Sequence, residues 1–294
     1  MEKIKKILVI GAGALGSRVA LQAAISNFQV NVFDIHNNAL DKSKQVMEKV
    51  YRHLVKQNRA SAHDQASVFQ QLHFTSDAAA AIEDVDLVNE SVTEDLNIKL
   101  KVWEQFGALA PDKTIFTTNT SYLLPSQMAY ASGRPEKFCA FHFHDVFHAR
   151  VVDVMPHAQT DPTLVPLLFE LGKALNQVPV LVKKESPGYI FNFMLMALIG
   201  AAGKLKTGDV GSIEDIDRSW MVNFNQPIGP FGILDNIGLD TAWHVTKTRP
   251  DAASQAFANL LKKYIDQGKL GEKTGEGFYH YPHPAYKSFV ETKQ

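Results

Sequence analysis

Ile7-Leu8-Val9-Ile10-Gly11-Ala12-Gly13-Ala14-Leu15-Gly16, with Gln29 to Phe33 and then Asp34 further on, decides how the chain is read. Four apolar residues in a row suit a strand buried on both faces of a parallel sheet. The glycine turn follows at once. Gly11 permits a tight turn, Gly13 lets a pyrophosphate come close to the backbone, and Gly16 lets the next helix pack against the strand. Leu15 sits in the same turn. Ser17 to Ser26 reads as that helix, and the N–H groups and partial positive charge at its start suit phosphate. Gln29 to Phe33 alternates as a second strand and ends at Asp34. A carboxylate there accepts hydrogen bonds from ribose hydroxyls and repels a 2′-phosphate. No arginine follows it, since the next residues are Ile35, His36, Asn37 and Asn38. The unit predicts a Rossmann-type, doubly wound, mainly parallel sheet whose cofactor is NAD(H).

Composition narrows the class without naming a substrate. Of 294 residues, 45% are apolar and 21% charged, which fits a folded protein rather than a disordered one. The formal net charge of −1 offers no basic excess for a nucleic-acid partner. The one cysteine, Cys139, cannot form an internal disulfide and reads as a small buried hydrophobe, so a reduced, cytoplasmic setting is expected. Lys3, Lys5 and Lys6 precede Ile7 to Ile10, but that apolar run is too short for a signal peptide. Tyr189 to Ala202 is apolar, yet too short to span a bilayer and interrupted by Asn192.

Leu40 to Arg59 reads as a helix with Val46, Val50, Leu54 and Val55 as its apolar stripe. Arg52, Lys56 and Arg59 near its end form either a solvated face or a phosphate contact. Asp86 to Val88, Thr114 to Thr118, Lys137 to Phe143, Val151 to Met155 and Val178 to Val182 read as strands, and Asn97 to Leu109 as a helix. Near Ser186-Pro187-Gly188 the β-rich segments stop and helical ones begin. The expected domains are therefore 1–184, binding the dinucleotide, and 185–294, all helical. Ser212-Ile213-Glu214-Asp215 resembles a capping box at a helix start.

Oxidation of an alcohol needs a base for the hydroxyl proton, support for that base when it is charged, and donors that fix the oxygen. His142 ends a strand, where the active sites of open α/β sheets gather. His144 shares its face, which raises the question of a metal. No cysteine or carboxylate completes a tetrahedral spacing in that segment, and no metal is expected.

At this point the chain resembles the L-3-hydroxyacyl-CoA dehydrogenases, especially the short 3-hydroxybutyryl-CoA type. The resemblance runs nearly end to end. It is carried by the glycine turn, by Glu90-Ser91-Val92-Thr93-Glu94-Asp95-Leu96-Asn97-Ile98-Lys99, by Asn119-Thr120-Ser121 and by the strand ending at His142. It continues through Pro187-Gly188-Tyr189-Ile190-Phe191-Asn192, Gly229-Pro230-Phe231 and Leu234-Asp235-Asn236-Ile237-Gly238-Leu239-Asp240. The tail Leu270-Gly271-Glu272-Lys273-Thr274-Gly275-Glu276-Gly277-Phe278-Tyr279 is its most specific stretch. The resemblance implies that His142 is the base and that Ser121 and Asn192 hold the reacting substrate. It places Glu94, Lys99 and Asn119 on the cofactor, and the charge of Arg52 and Lys56 on the Leu40 to Arg59 helix is the candidate contact for the phosphates of an acyl-CoA substrate. It also implies a homodimer made through the helical domain, with NAD-linked interconversion of 3-hydroxyacyl-CoA and 3-ketoacyl-CoA as the activity.

The departures gather around His142. The resembled family usually carries His-Phe-Phe-Asn-Pro-x-Pro, with a glutamate twelve residues after the histidine. Here the segment runs His142-Phe143-His144-Asp145-Val146-Phe147-His148-Ala149-Arg150-Val151-Val152-Asp153. Both prolines are gone and one residue is missing. Asp153 is the nearest counterpart of the glutamate, one methylene shorter, and Asp145 is a rival partner for His142. Phe193 stands where an arginine is usual. Two other readings stay open: a dehydrogenase of a free 3-hydroxy acid or sugar acid, with Arg150 available to an anion, and an NAD-binding regulatory protein without catalysis.

Overall fold

The computed structural model describes residues 4–290. In chain order the first part holds β1 (Lys6–Ile10), α1 (Ala14–Ile25), β2 (Gln29–Phe33), α2 (Asn37–Lys56), α3 (Gln65–Gln70), β3 (Leu72–Thr75) and α4 (Ala78–Ile82). There follow β4 (Leu87–Glu90), α5 (Leu96–Leu109), β5 (Ile115–Thr118), β6 (Phe138–Phe143), β7 (Val151–Met155), α6 (Leu164–Ala174) and β8 (Val178–Leu181). The second part is helical: α7 (Phe191–Thr207), α8 (Ile213–Phe224), α9 (Pro230–Ile237), α10 (Leu239–Thr246) and α11 (Ala252–Ile265). No helix among the described residues is long and apolar enough to cross a membrane.

The eight strands form one sheet in the order β3-β2-β1-β4-β5-β6-β7-β8. Six are parallel from β3 to β6, and β7 runs antiparallel to β6. The order reverses between β1 and β4, and ligands of such sheets bind past the C-terminal strand ends at this kind of switch point. Helices cover both faces. Ala20 of α1, Met47 of α2 and Leu168 of α6 join Ile7, Val9, Val30 and Val32 in one core cluster. Trp103 and Phe106 of α5 and Ala81 of α4 pack against Leu8, Ile10, Val88 and Phe116 in the other. Edge-to-face contacts of Trp103 with Phe116 and Phe138 fix the second layer. Strand residues alternate between the two clusters, which is why these strands read as unbroken apolar runs rather than as alternating ones.

β3 is absent from the sequence reading. Leu72-His73-Phe74-Thr75 is short and mixed in polarity, and it pairs only with β2 at the sheet edge. Such a strand carries little periodic signal.

The chain divides into two compact units between Ile190 and Phe191, later than the 184/185 boundary expected from Pro187 and Gly188. Tyr189 gives the physical reason, because its ring is buried with Ala140, Met155 and Val182 and so belongs to the first unit. In the second unit Met221, Phe231, Leu234, Phe257 and Leu261 form the core between its helices. Ser212 caps α8 as its sequence suggests, its Oγ accepting from the backbone N–H of Asp215 at 3.0 Å.

Candidate active site

The glycine turn joins β1 to α1, and its backbone requires the residues found there. Gly11 has φ +103°, and a Cβ on it would lie 2.6 Å from the carbonyl oxygen of Ser91. A Cβ on Gly16 would lie 2.0 Å from the carbonyl oxygen of Gly11, so the helix can start this close to the strand only without a side chain there. A Cβ built on Gly13 meets nothing within 4 Å, and the start of α1 has no side-chain cap. Backbone N–H groups that no side chain caps, beside open space at a helix N-terminus, are what a pyrophosphate needs. Asp34 closes the arrangement at the end of β2. Its carboxylate accepts from the N–H of Ala12 and from that of His36, each at 3.0 Å. These residues fit NAD(H).

β4 and β5 end beside this turn. Lys99 of α5 is buried, donating to Glu90 Oε1 at 2.6 Å and to the carbonyl of Val92 at 3.3 Å, with Glu94 Oε2 at 3.6 Å. Its charge thus neutralises two carboxylates at the ends of the strands. Glu94 Oε1 accepts from the backbone N–H of Ser121 at 3.0 Å and from that of Tyr122 at 2.9 Å, which holds the Ser121 loop. Burial works against that carboxyl, but the Thr120 hydroxyl, Lys99 and these N–H groups together hold it below its ordinary value. Asn119 donates to Ser91 Oγ at 3.1 Å and accepts from the N–H of Phe143 at 2.7 Å, tying β4, β5 and β6 together. Arg52 and Lys56 lie exposed on α2, where Arg52 stands 4.0 Å from Glu48 in a solvated pair.

Antiparallel pairing of β6 with β7 places His142 directly opposite Asp153. Their side chains are 3% and 1% exposed. His142 Nδ1 lies 3.2 Å from Asp153 Oδ2, and His142 Nε2 lies 3.2 Å from Ser121 Oγ. An Nδ1–H donated to the carboxylate leaves the Nε2 lone pair facing the Ser121 side, the tautomer a base needs. Burial pushes the imidazole below its ordinary value, and Asp153 opposes that only in part, so the resting ring is neutral near pH 7. Asp145 is drawn elsewhere, pairing with Arg18 at 2.8 Å and accepting from the N–H groups of Phe147 and His148. Asn192 stands in the first turn of α7, in the second unit.

Of two neighbours of His142, Tyr189 escaped the sequence reading as a site residue, and His144 was weighed there only as a metal ligand. The Tyr189 ring stacks on the imidazole, with centroids 4.6 Å apart and planes 17° from parallel, and its hydroxyl donates to the carbonyl of Thr120 at 2.8 Å. His144 Nε2 lies 2.7 Å from Asp153 Oδ2, the same oxygen that faces His142. The ligand-type atoms of His142, His144 and Asp153 all fall within 4.8 Å. A carboxylate thus does join the two histidines, against the expectation from the sequence, and both nitrogens lie within hydrogen-bond distance of its one oxygen.

Comparison with known proteins identifies the family. Residues 6–186 match the family model described as 3-hydroxyacyl-CoA dehydrogenase, NAD binding domain, and residues 188–281 match that of the C-terminal domain. A probable 3-hydroxybutyryl-CoA dehydrogenase of Deinococcus radiodurans is 33% identical over 94% of this chain and 100% of its own. The mitochondrial hydroxyacyl-coenzyme A dehydrogenase of Homo sapiens is 32% identical over 95% of this chain and 91% of its own. Among solved structures, a diketoreductase described as performing substrate-directed dual catalysis of dicarbonyl compounds is 38% identical, with a TM-score of 0.90 over 96% of this chain and 100% of that one. The chain belongs to the 3-hydroxyacyl-CoA dehydrogenase family of NAD-dependent oxidoreductases acting on a CH–OH group.

Proposed function

We propose that this protein interconverts short-chain 3-hydroxyacyl-CoA and 3-ketoacyl-CoA, with His142 as the general base and acid. The observation that carries the reading is the line Asp153–His142–Ser121, buried at Asp153 and His142 and part-buried at Ser121. Bound NAD(H) supplies the hydride acceptor or donor. In oxidation His142 Nε2 takes the 3-hydroxyl proton, and Asp153 steadies the imidazolium that results. In reduction the same nitrogen returns the proton to the new alkoxide. Ser121 Oγ orients the reacting oxygen, and Asn192 is the second substrate contact that the family resemblance assigns.

A specific observation favours a second reading. The diketoreductase similarity is higher in identity than that of the CoA enzymes above, and the 142–153 segment departs from their usual pattern. On that reading the substrate is a dicarbonyl compound without CoA. NADH oxidation with acetoacetyl-CoA, acetoacetate and a neutral diketo ester separates the two. Fast turnover of acetoacetyl-CoA is expected, turnover of the diketo ester alone would transfer the assignment to dicarbonyl reduction, and no turnover of any would leave a cofactor-binding protein.

Asp34 is assigned to the cofactor ribose. Replacing it with Ala should weaken NADH binding about tenfold, the scale of a hydrogen bond to a charged group, and weaken NADPH binding less. Fluorescence titration with both cofactors checks this, and an unchanged NADH-to-NADPH ratio would remove Asp34 from the ribose.

The second unit leaves Phe193, Met194, Val222 and Phe224 exposed. Apolar surface of this kind marks an association site, and we assign it to a second copy of the chain. Light scattering at micromolar concentration should read a dimer, and a clean monomer would overturn the assignment.

A further inference from the structure

His144 takes no part in the chemistry derived so far, yet its contact with Asp153 is the shorter of the two that this carboxylate makes with histidines, 2.7 Å against 3.2 Å. Both imidazoles face the same oxygen, Oδ2. The arrangement follows from the backbone. His142 and His144 lie two residues apart and so present to one face of the sheet edge, and Asp153 is the cross-strand partner of His142. Their rings meet edge to face with centroids 4.6 Å apart. We propose that His144 is a positioning residue, fixing the short Asp153 side chain in the rotamer that orients His142.

The physical need is specific. An aspartate carboxylate is carried on one methylene and swings about χ1 and χ2, and a rotamer turned away leaves His142 Nδ1 without an acceptor and its tautomer undefined. A donor from the opposite side removes that freedom. It has a second effect, because a carboxylate oxygen shared between two donors supports each imidazolium less than an undivided one. His144 therefore fixes the orientation of the base and also limits its proton affinity. The other charged or titratable groups around His142 are Glu94, Tyr189 and Asp153 itself.

The inference rests on the reading of His142 as base, and the test separates the two. His144→Phe keeps an aromatic ring and removes the donor, whereas His144→Gln keeps an N–H donor of similar reach. Expected results are a fall in kcat of about tenfold for His144→Phe, within the range of couplings between network neighbours, with KM for NADH unchanged and the acid limb of kcat for oxidation moved to higher pH. His144→Gln should restore most of kcat. Nitrogen-15 shifts of the His142 ring report its tautomer in the protein without substrate, so they decide the matter even if no substrate is turned over. A mixed tautomer is expected in His144→Phe and a single one in the parent and in His144→Gln. Parent-like kcat, pH profile and tautomer in a folded His144→Phe would overturn the proposal, as would equal losses in the Phe and Gln variants.

Discussion

His142→Ala is expected to lower kcat by about a thousandfold in both directions, within the range that a positioned general acid–base contributes. NADH affinity should stay nearly unchanged, because the groups suited to the cofactor phosphates and ribose are backbone N–H groups of the glycine turn and Asp34, carried by other strands. The imidazole is buried beneath Tyr189, so its removal also leaves a void; His142→Gln, which fills more of that space, should show the same loss and guards against a packing explanation. The pH profile gives the sign independently. Oxidation needs the neutral ring, and burial moves its protonation below the ordinary 6.5. The acid limb should therefore lie below pH 6.5 and vanish in both variants, whose residual rate should be flat with pH. Parent-like rates in either variant would remove His142 as the base.

What the sequence made legible was local. The strand, the glycine turn, the helix start and Asp34 lie close along the chain, and each residue type has a steric or electrostatic reason that no distant contact overrides. His142 was legible as a strand end. Its partner was not, because the choice between Asp145 and Asp153 depends on how β6 and β7 pair. The structure resolves it through register, which puts Asp153 opposite His142 and draws Asp145 to Arg18. Lys99 shows the same limit. The resemblance implied a cofactor contact for it, and only the structure shows the buried carboxylate it also meets, that of Glu90 at the end of β4, which holds the strand ends together. Tyr189 lay in plain sight in Pro187-Gly188-Tyr189, where turn chemistry hid a ring that closes one face of the base.

The tail motif of the second unit was legible as the most specific stretch of the resemblance, without its purpose. The purpose is Asp235. This buried side chain of α9 accepts from the N–H of Phe278 at 2.8 Å, the N–H of Tyr279 at 2.9 Å and the hydroxyl of Tyr281 at 3.1 Å. Gly277 allows that approach, since a Cβ on it would lie 2.1 Å from Asp235 Oδ1. Asp235→Ala should therefore leave three donors in the interior unmatched, at about 1–3 kcal/mol each before relaxation and water entry. A net loss of about 3–4 kcal/mol is expected, which is large against the whole stability of a domain. Asp235→Asn should cost less but not be neutral, because its amide nitrogen would face a donor on one side. The pH dependence has a definite sign. Burial raises the Asp235 carboxyl above its ordinary value, so the folded unit holds that proton more tightly than the unfolded chain. The group's contribution is fully present below about pH 4, the ordinary aspartate value, and declines as pH rises through the folded value. The gap between parent and Asp235→Ala should accordingly be widest in acid and narrow toward neutrality. Hydrogen exchange at Phe278 and Tyr279 reads the effect where it occurs. Unchanged protection of those two amides in Asp235→Ala would mean that the tail is held by the packing of Phe278 on Phe231 and Tyr264 rather than by the carboxylate.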